Sequence, residues 1–384
     1  MIIENDFVVL LLRKSFDASI EMPRLDTYNG VYEAIIRNGI LMNVYPVIKE
    51  MVEEKEDQNL KMLEQRLQQK YYSSIKQSIT QDYEGKRVLE KLSGSGLDCI
   101  ALKGWELRYL YPDITMRQMA DLDILVRPYD YGKIKDILDD LGYESEKESS
   151  WKHDSFRKDS VHIEMHKRLT DSSSVIRNWE NEMWTRTNKV SDHLLKMSIE
   201  DYYIFHFIHM HKDFKNGSLG LRRVVDTWLL QKLDVDMKIV ESELDKMDMC
   251  LFHDKIVKLC KATMGEIPLD EDSEIMLQHA FKYGIYGSSK SYKAGRIASM
   301  GGDLRGGKIK SFVSAIFLPK SRMKAHFPIV EKYPVLLPFY WIKRIIQLLR
   351  GNILDHKKKL NYRDIDEEDY LYMKRFFKAG GIIQ

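Results

Sequence analysis

Two hydrophobic periods divide the 384-residue chain, and the change from one to the other marks its organisation. From Phe7 to about residue 95 the period is helical. An apolar block runs from Phe7 to Phe16, and Val31, Ile35, Ile36 and Ile40 follow a start at Asp26 or Asn29. Leu60, Leu63, Leu67, Tyr71, Ile75, Ile79 and Tyr83 then recur at steps of three and four, with Glu, Lys and Gln on the other faces. That stripe predicts one long amphipathic helix packed on a core. Ser93-Gly94-Ser95-Gly96 ends it.

The next 75 or so residues read differently. Cys99-Ile100-Ala101-Leu102 is a short apolar strand closed by Lys103-Gly104, and Trp105 to Tyr111 predicts about two helical turns stopped by Pro112. A loop from Asp113 to Ala120 leads into a strand that runs to Val126. Asp130 to Leu141 is an amphipathic helix with Gly142 as its stop. A polar hairpin-like segment, Glu144 to Asp159, precedes Val161 to His166, where the period is two. Beyond Thr170 helical signals return over Ser198–Phe214, Leu219–Leu233, Met237–Met264 and Asp270–Tyr283. Gly284 to Gly307 reads as a mobile connection, and the last 70 residues hold a proline- and aromatic-rich segment and a basic amphipathic helix near Trp341 to Leu349. The predicted class is α+β: a small mixed sheet (96–170) flanked by helical regions at 1–95, 171–285 and 286–384.

Composition narrows the classes without choosing among them. The apolar fraction of 44% and charged fraction of 31% suit a soluble globular protein. A net charge of +2 offers no general attraction to a long nucleic acid, which is therefore not an expected partner. Three scattered cysteines, Cys99, Cys250 and Cys260, suggest reduced thiols. With no secretory signal pattern at the N-terminus and no uncharged apolar run of ~18 residues, the expected location is the cytoplasm. Trp341, Lys343 and Arg344 beside Leu336 and Leu337 suit a membrane surface; a helix docked on the core suits them as well and is preferred.

The chemistry gathers around Asp121-Leu122-Asp123-Ile124-Leu125-Val126. Side chains alternate along a strand, so Asp121 and Asp123 share one face and Leu122 and Ile124 the other. Two adjacent carboxylates repel, and a divalent cation keeps both ionised. Glu164, on the alternating strand about forty residues on, joins them if the two strands are neighbours. Three converging carboxylates make a site for two hard cations, Mg²⁺ or Mn²⁺. Lys103-Gly104 and Arg117 put positive charge and backbone N–H groups near the acids, as phosphate binding requires. His162 and His166 flank Glu164 on its own face. His206, His209 and His211 lack the further ligand that zinc needs, and Arg222 with Asp226 has the spacing of an intrahelical ion pair. Gly301 to Gly307 has glycines without phosphate-loop order and reads as a flexible loop.

Leu102-Lys103-Gly104, the helix ending in Leu110-Tyr111-Pro112, Arg117, Asp121 to Val126 and Ile163-Glu164-Met165-His166 together resemble the polymerase-β-like nucleotidyltransferase superfamily. More narrowly they resemble a bacterial family of uncharacterised nucleotidyltransferases. The resemblance is specific over residues 97–170 and looser over Ser198 to Leu233. It implies that Asp121, Asp123 and Glu164 hold two metal ions, with Lys103, Gly104, Arg117 and His166 near the nucleotide. The implied reaction transfers a nucleoside monophosphate from a nucleoside triphosphate to a hydroxyl-bearing acceptor, a small molecule or a protein, and releases pyrophosphate. The wider superfamily carries Gly-Ser where this chain has Gly104-Trp105, which leaves phosphate contact there to backbone N–H groups or Lys103. Two other readings stay open: a D-x-D glycosyltransferase using a nucleotide sugar, disfavoured by the helical first 95 residues, and a non-catalytic nucleotide-binding scaffold.

Overall fold

The computed structural model describes residues 4–54, 56–146, 153–169, 174–318, 320, 323, 327, 329–350 and 362–383. Four helices lead: α1 (Glu4–Lys14), α2 (Asn29–Asn38), α3 (Leu41–Glu54) and the 37-residue α4 (Gln58–Gly94). Asp57 caps α4, its carboxylate accepting from the backbone N–H groups of Asn59 and Leu60. At the other end Gly96 takes φ +74°, which turns the chain into the sheet.

Seven strands follow among the described residues: β1 (Asp98–Ala101), β2 (Leu122–Arg127), β3 (Glu144–Ser145), β4 (His153–Lys158), β5 (Val161–His166), β6 (Asn188–Lys189) and β7 (Leu194–Lys196). Their spatial order is β3-β4-β5-β2-β1-β7-β6. Between β1 and β2 lie the single turn α5 (Gly104–Leu107) and two 3-10 turns; α6 (Tyr131–Asp140) follows β2. The sheet is mixed, as expected. β2 runs parallel to β5 and antiparallel to β1, while β4 is antiparallel to β5. β6 and β7 were not anticipated, since segments of two and three residues carry no readable alternation.

The two faces of the sheet differ in chemistry. Cys99, Ala101, Leu122, Ile124, Val126, Ile163 and Met165 pack with Val88, Leu89 and Leu92 of α4 and Ile134 and Leu138 of α6. Ile100, Leu102 and Leu125 face the other way, into a larger helical core. That core also holds α7 (Ser174–Met183), α8 (Ile199–Lys215), α9 (Leu221–Leu230), α10 (Met237–Lys246), α11 (Cys250–Thr263) and α12 (Glu271–Tyr283).

Four expectations need correction. The stripe on α4 does not stay buried: Ile79 and Tyr83 are exposed, and Ser78, Gln81 and Glu84 are buried in their stead. The sheet meets this part of α4 with polar groups, and Glu84 accepts from the Tyr143 hydroxyl and pairs with Lys158. Met237 to Met264 is two helices, broken at Asp248, which takes φ +55°. Gly284 to Gly307 is largely helical, comprising α13 (Ser289–Ser299) and the start of α14 (Leu304–Ile316), which Asp303 caps. Its small residues serve close packing: a Cβ on Gly295 would lie 3.1 Å from Phe377, on the C-terminal helix Glu367–Ala379. Finally, Asp226 pairs with Arg117, and not with Arg222. No helix among the described residues is long and apolar enough to cross a membrane.

Candidate active site

Strand register assembles the site. In the parallel β2–β5 ladder Asp123 lies opposite Glu164, and Leu122 opposite Ile163. With the apolar set turned to α4, the acids are left on the other face. Ligand atoms of Asp121, Glu164 and His162 lie within 4.8 Å of one another. Asp121 makes no hydrogen bond or salt bridge among the described residues, and burial together with the neighbouring Asp123 raises its pKa.

Asp123 is held differently. Its Oδ1 accepts from Lys103 Nζ at 2.5 Å and lies 2.7 Å from His166 Nε2. Burial alone would raise the carboxyl's pKa; Lys103 and His166 outweigh it and hold the group well below the usual carboxylate range. The same His166 Nε2 is 3.3 Å from Glu164, so one imidazole orients two of the three acids. Burial lowers the His166 pKa, and the two carboxylates more than restore it, leaving a net rise. His153 approaches Glu164 from β4 at 3.6 Å, and His162 sits 3.1 Å from Glu146.

Lys103 reaches Asp123 from a strained backbone, φ +48° and ψ −121°, at the end of β1. Its carbonyl accepts from the Tyr202 hydroxyl of α8 at 2.7 Å. Gly104 is also needed there, because a Cβ would sit 2.7 Å from Met119 Cγ. The glycine therefore lets the Arg117–Met119 loop close onto the turn. Trp105 points away from the acids, buried against α4, with the Arg108 guanidinium 3.6 Å from its ring centre.

Asp121 and Asp123 open onto a cleft of about 270 Å³ that Arg117, Arg222 and Arg223 also line. Arg117 lines it but is already engaged, Nε to Asp226 at 2.7 Å and Nη1 to the Gln118 carbonyl at 2.5 Å. Arg223 pairs with Asp213. Arg222 makes no salt bridge among the described residues; it donates to the Gln118 carbonyl at 3.2 Å, and its Nε is buried without a partner. Burial, reinforced by Arg117, lowers its pKa to about 10. His206 lies at the wall, 2.8 Å from Thr227 Oγ1, with His209 beside Arg223.

The structure thus brings together Asp121, Asp123, Glu164, Lys103 and His166 as the sequence suggested, with Gly104 and Arg117 on the cleft's lining. The sequence did not single out Tyr202, Arg223 or Tyr286, nor assign Arg222 to the cleft. Arg222 and Arg223 lie in the Arg222…Asp226 pattern, whereas Tyr202 and Tyr286 carry no such signal.

A family model described as "Uncharacterised nucleotidyltransferase" matches residues 29–265, more than half of the chain. The chain belongs to that family. No match was found to a curated protein or to a solved structure. The matched span includes every cleft residue named above except Tyr286.

Proposed function

We propose that the cleft is the active site of a metal-dependent nucleotidyltransferase of polymerase-β type. It would transfer a nucleoside monophosphate from a nucleoside triphosphate to a hydroxyl-bearing acceptor. The observation that carries this reading is the β2–β5 register, which sets Glu164 beside Asp123 while Asp121 stands without a partner. An unpaired, half-buried carboxylate next to two more is a poor arrangement for a protein interior and a good one for hard cations.

Asp121, Asp123 and Glu164 would hold Mg²⁺ or Mn²⁺, two ions in the fullest form. Such ions supply charge neutralisation for an in-line displacement and lower the pKa of an acceptor hydroxyl. The chain's own residues do the rest. His166 keeps Asp123 and Glu164 aimed together. Lys103 and Arg222 face the cleft with the charge to neutralise a triphosphate, and Arg117 braces the loop that carries Asp121. The acceptor hydroxyl gives its proton to the carboxylate cluster, its oxygen bonds to the α-phosphorus, and the bond to pyrophosphate breaks. Positioning and electrostatics account for catalysis of this kind.

The test is transfer of label from each of the four α-³²P nucleoside triphosphates, with Mg²⁺ or Mn²⁺ and cell extract as acceptor source. Label should appear in an acceptor with wild-type protein and vanish in Asp121→Asn and in Asp123→Asn. Undiminished transfer in both variants would overturn the reading.

A further inference from the structure

Charge is very unevenly spread along this chain. Residues 305–350 hold ten lysines and arginines against one acid, Glu331, whereas the whole protein carries only +2. Lys308, Lys310, Lys320, Lys332 and Lys343 make no salt bridge among the described residues; Lys310 donates to the Met300 carbonyl at 3.4 Å and Lys343 lies over the Phe327 and Tyr340 rings, contacts that leave the positive charge without a counter-ion.

The same segment turns apolar side chains outward. Its principal helix, Leu337–Arg350, packs Leu337, Tyr340 and Trp341 on a small core of Leu318, Met323 and Val330. The Trp341 indole N–H donates to the Leu318 carbonyl at 2.9 Å, which fixes that face inward. Phe339, Ile342 and Ile346, spaced three and four apart, form a separate stripe and are exposed at 62%, 58% and 41%. Val335, just before the helix, is 82% exposed, and α14 beside it exposes Phe312. An exposed apolar stripe beside Lys343, on a segment this basic, calls for a covering partner.

We infer that this face docks on an anionic phospholipid bilayer, the apolar stripe entering the headgroup boundary and the lysines pairing with lipid phosphates. Charge selects this occupant over a second copy of the chain, whose identical basic face would repel it. The apolar stripe selects it over nucleic acid, for which lysines alone would serve. The geometry is that of an amphipathic helix lying in the interface plane, since no described helix can span. The inference is independent of the nucleotidyl-transfer reading: either stands without the other.

Vesicle co-sedimentation of the full-length protein tests it, comparing phosphatidylcholine alone with phosphatidylcholine containing phosphatidylglycerol. Protein should pellet with the anionic vesicles, remain in solution with the neutral ones, and be released progressively by salt. The double variant Phe339→Ser/Ile342→Ser should weaken binding by at least ~10-fold, because it removes the inserted apolar groups. Its melting curve should match the wild type, as both side chains are exposed. Lys343→Glu should weaken binding in the same assay by a route that leaves the stripe intact. Absence of binding to anionic vesicles, equal binding to both compositions, or full binding by both variants overturns the inference. So does retention on an RNA homopolymer without vesicle binding.

Discussion

A Cβ on Gly85 would lie 2.3 Å from the Trp105 ring, and the Arg108 guanidinium sits 3.6 Å from the ring's centre. The side chain following the Lys103–Gly104 turn is therefore wedged between the turn and α4, away from the carboxylates. Replacing it with the serine that the resemblance led one to expect would remove buried aromatic volume without placing a hydroxyl in the cleft. Trp105→Ser should cost about 3–5 kcal/mol, read as a lower urea midpoint, and gain no label transfer. A rise in transfer would show that the position faces the nucleotide. The case illustrates what one sequence withholds. Asp121, Asp123 and Glu164 were legible because a strand's period of two fixes which side chains share a face. The fate of Trp105 depends on Gly85, twenty residues earlier, and the partner of Asp226 on Arg117, 109 residues earlier. Neither contact has a periodic signature.

At the level of elements, α4 serves two cores in succession. Its first half buries Leu60, Leu63 and Leu67 with α3, and its second half buries Val88, Leu89 and Leu92 under the sheet. Between them the buried surface is polar, and Glu84 is its anchor, joined to Tyr143 at 3.2 Å and Lys158 at 3.0 Å. Glu84→Ala leaves a half-buried ammonium and a buried phenol without their acceptor, which should cost about 1–3 kcal/mol. Denaturant titration measures the loss; a change under half a kcal/mol (~0.5) would mean that water replaces the carboxylate at no cost. A hydrophobic stripe read from sequence continued straight through this region, because periodicity marks apolar positions and is blind to polar ones that find partners. The same blindness hid α13, where serine, lysine and glycine look like a connection. They form a helix because a capping box at Ser288 starts it and Gly295 lets Phe377 approach.

For the whole molecule, histidines packed into the core, His206, His279 and His211 among them, weaken the fold toward acid. Burial lowers the pKa of His206 to about 4 and of His279 to about 3. Both lie below the ordinary value of 6.5, so as pH falls the unfolded chain takes up protons first. The stability they contribute is complete above about pH 6.5 and is lost as pH drops toward their folded values, by up to about 1.4 kcal/mol per histidine for each pH unit. Urea midpoints should fall between pH 7 and 5, and His279→Gln should flatten that slope; an unchanged slope would show that His279 adds nothing to acid sensitivity. A different consequence attaches to Asp123, clasped by Lys103 and His166. The fold brings its own counter-ions, so admitting a cation is an exchange of partners, and the architecture does not depend on it. Chelators should therefore abolish transfer and leave the melting temperature where it was: this protein would lose its chemistry to EDTA and keep its shape.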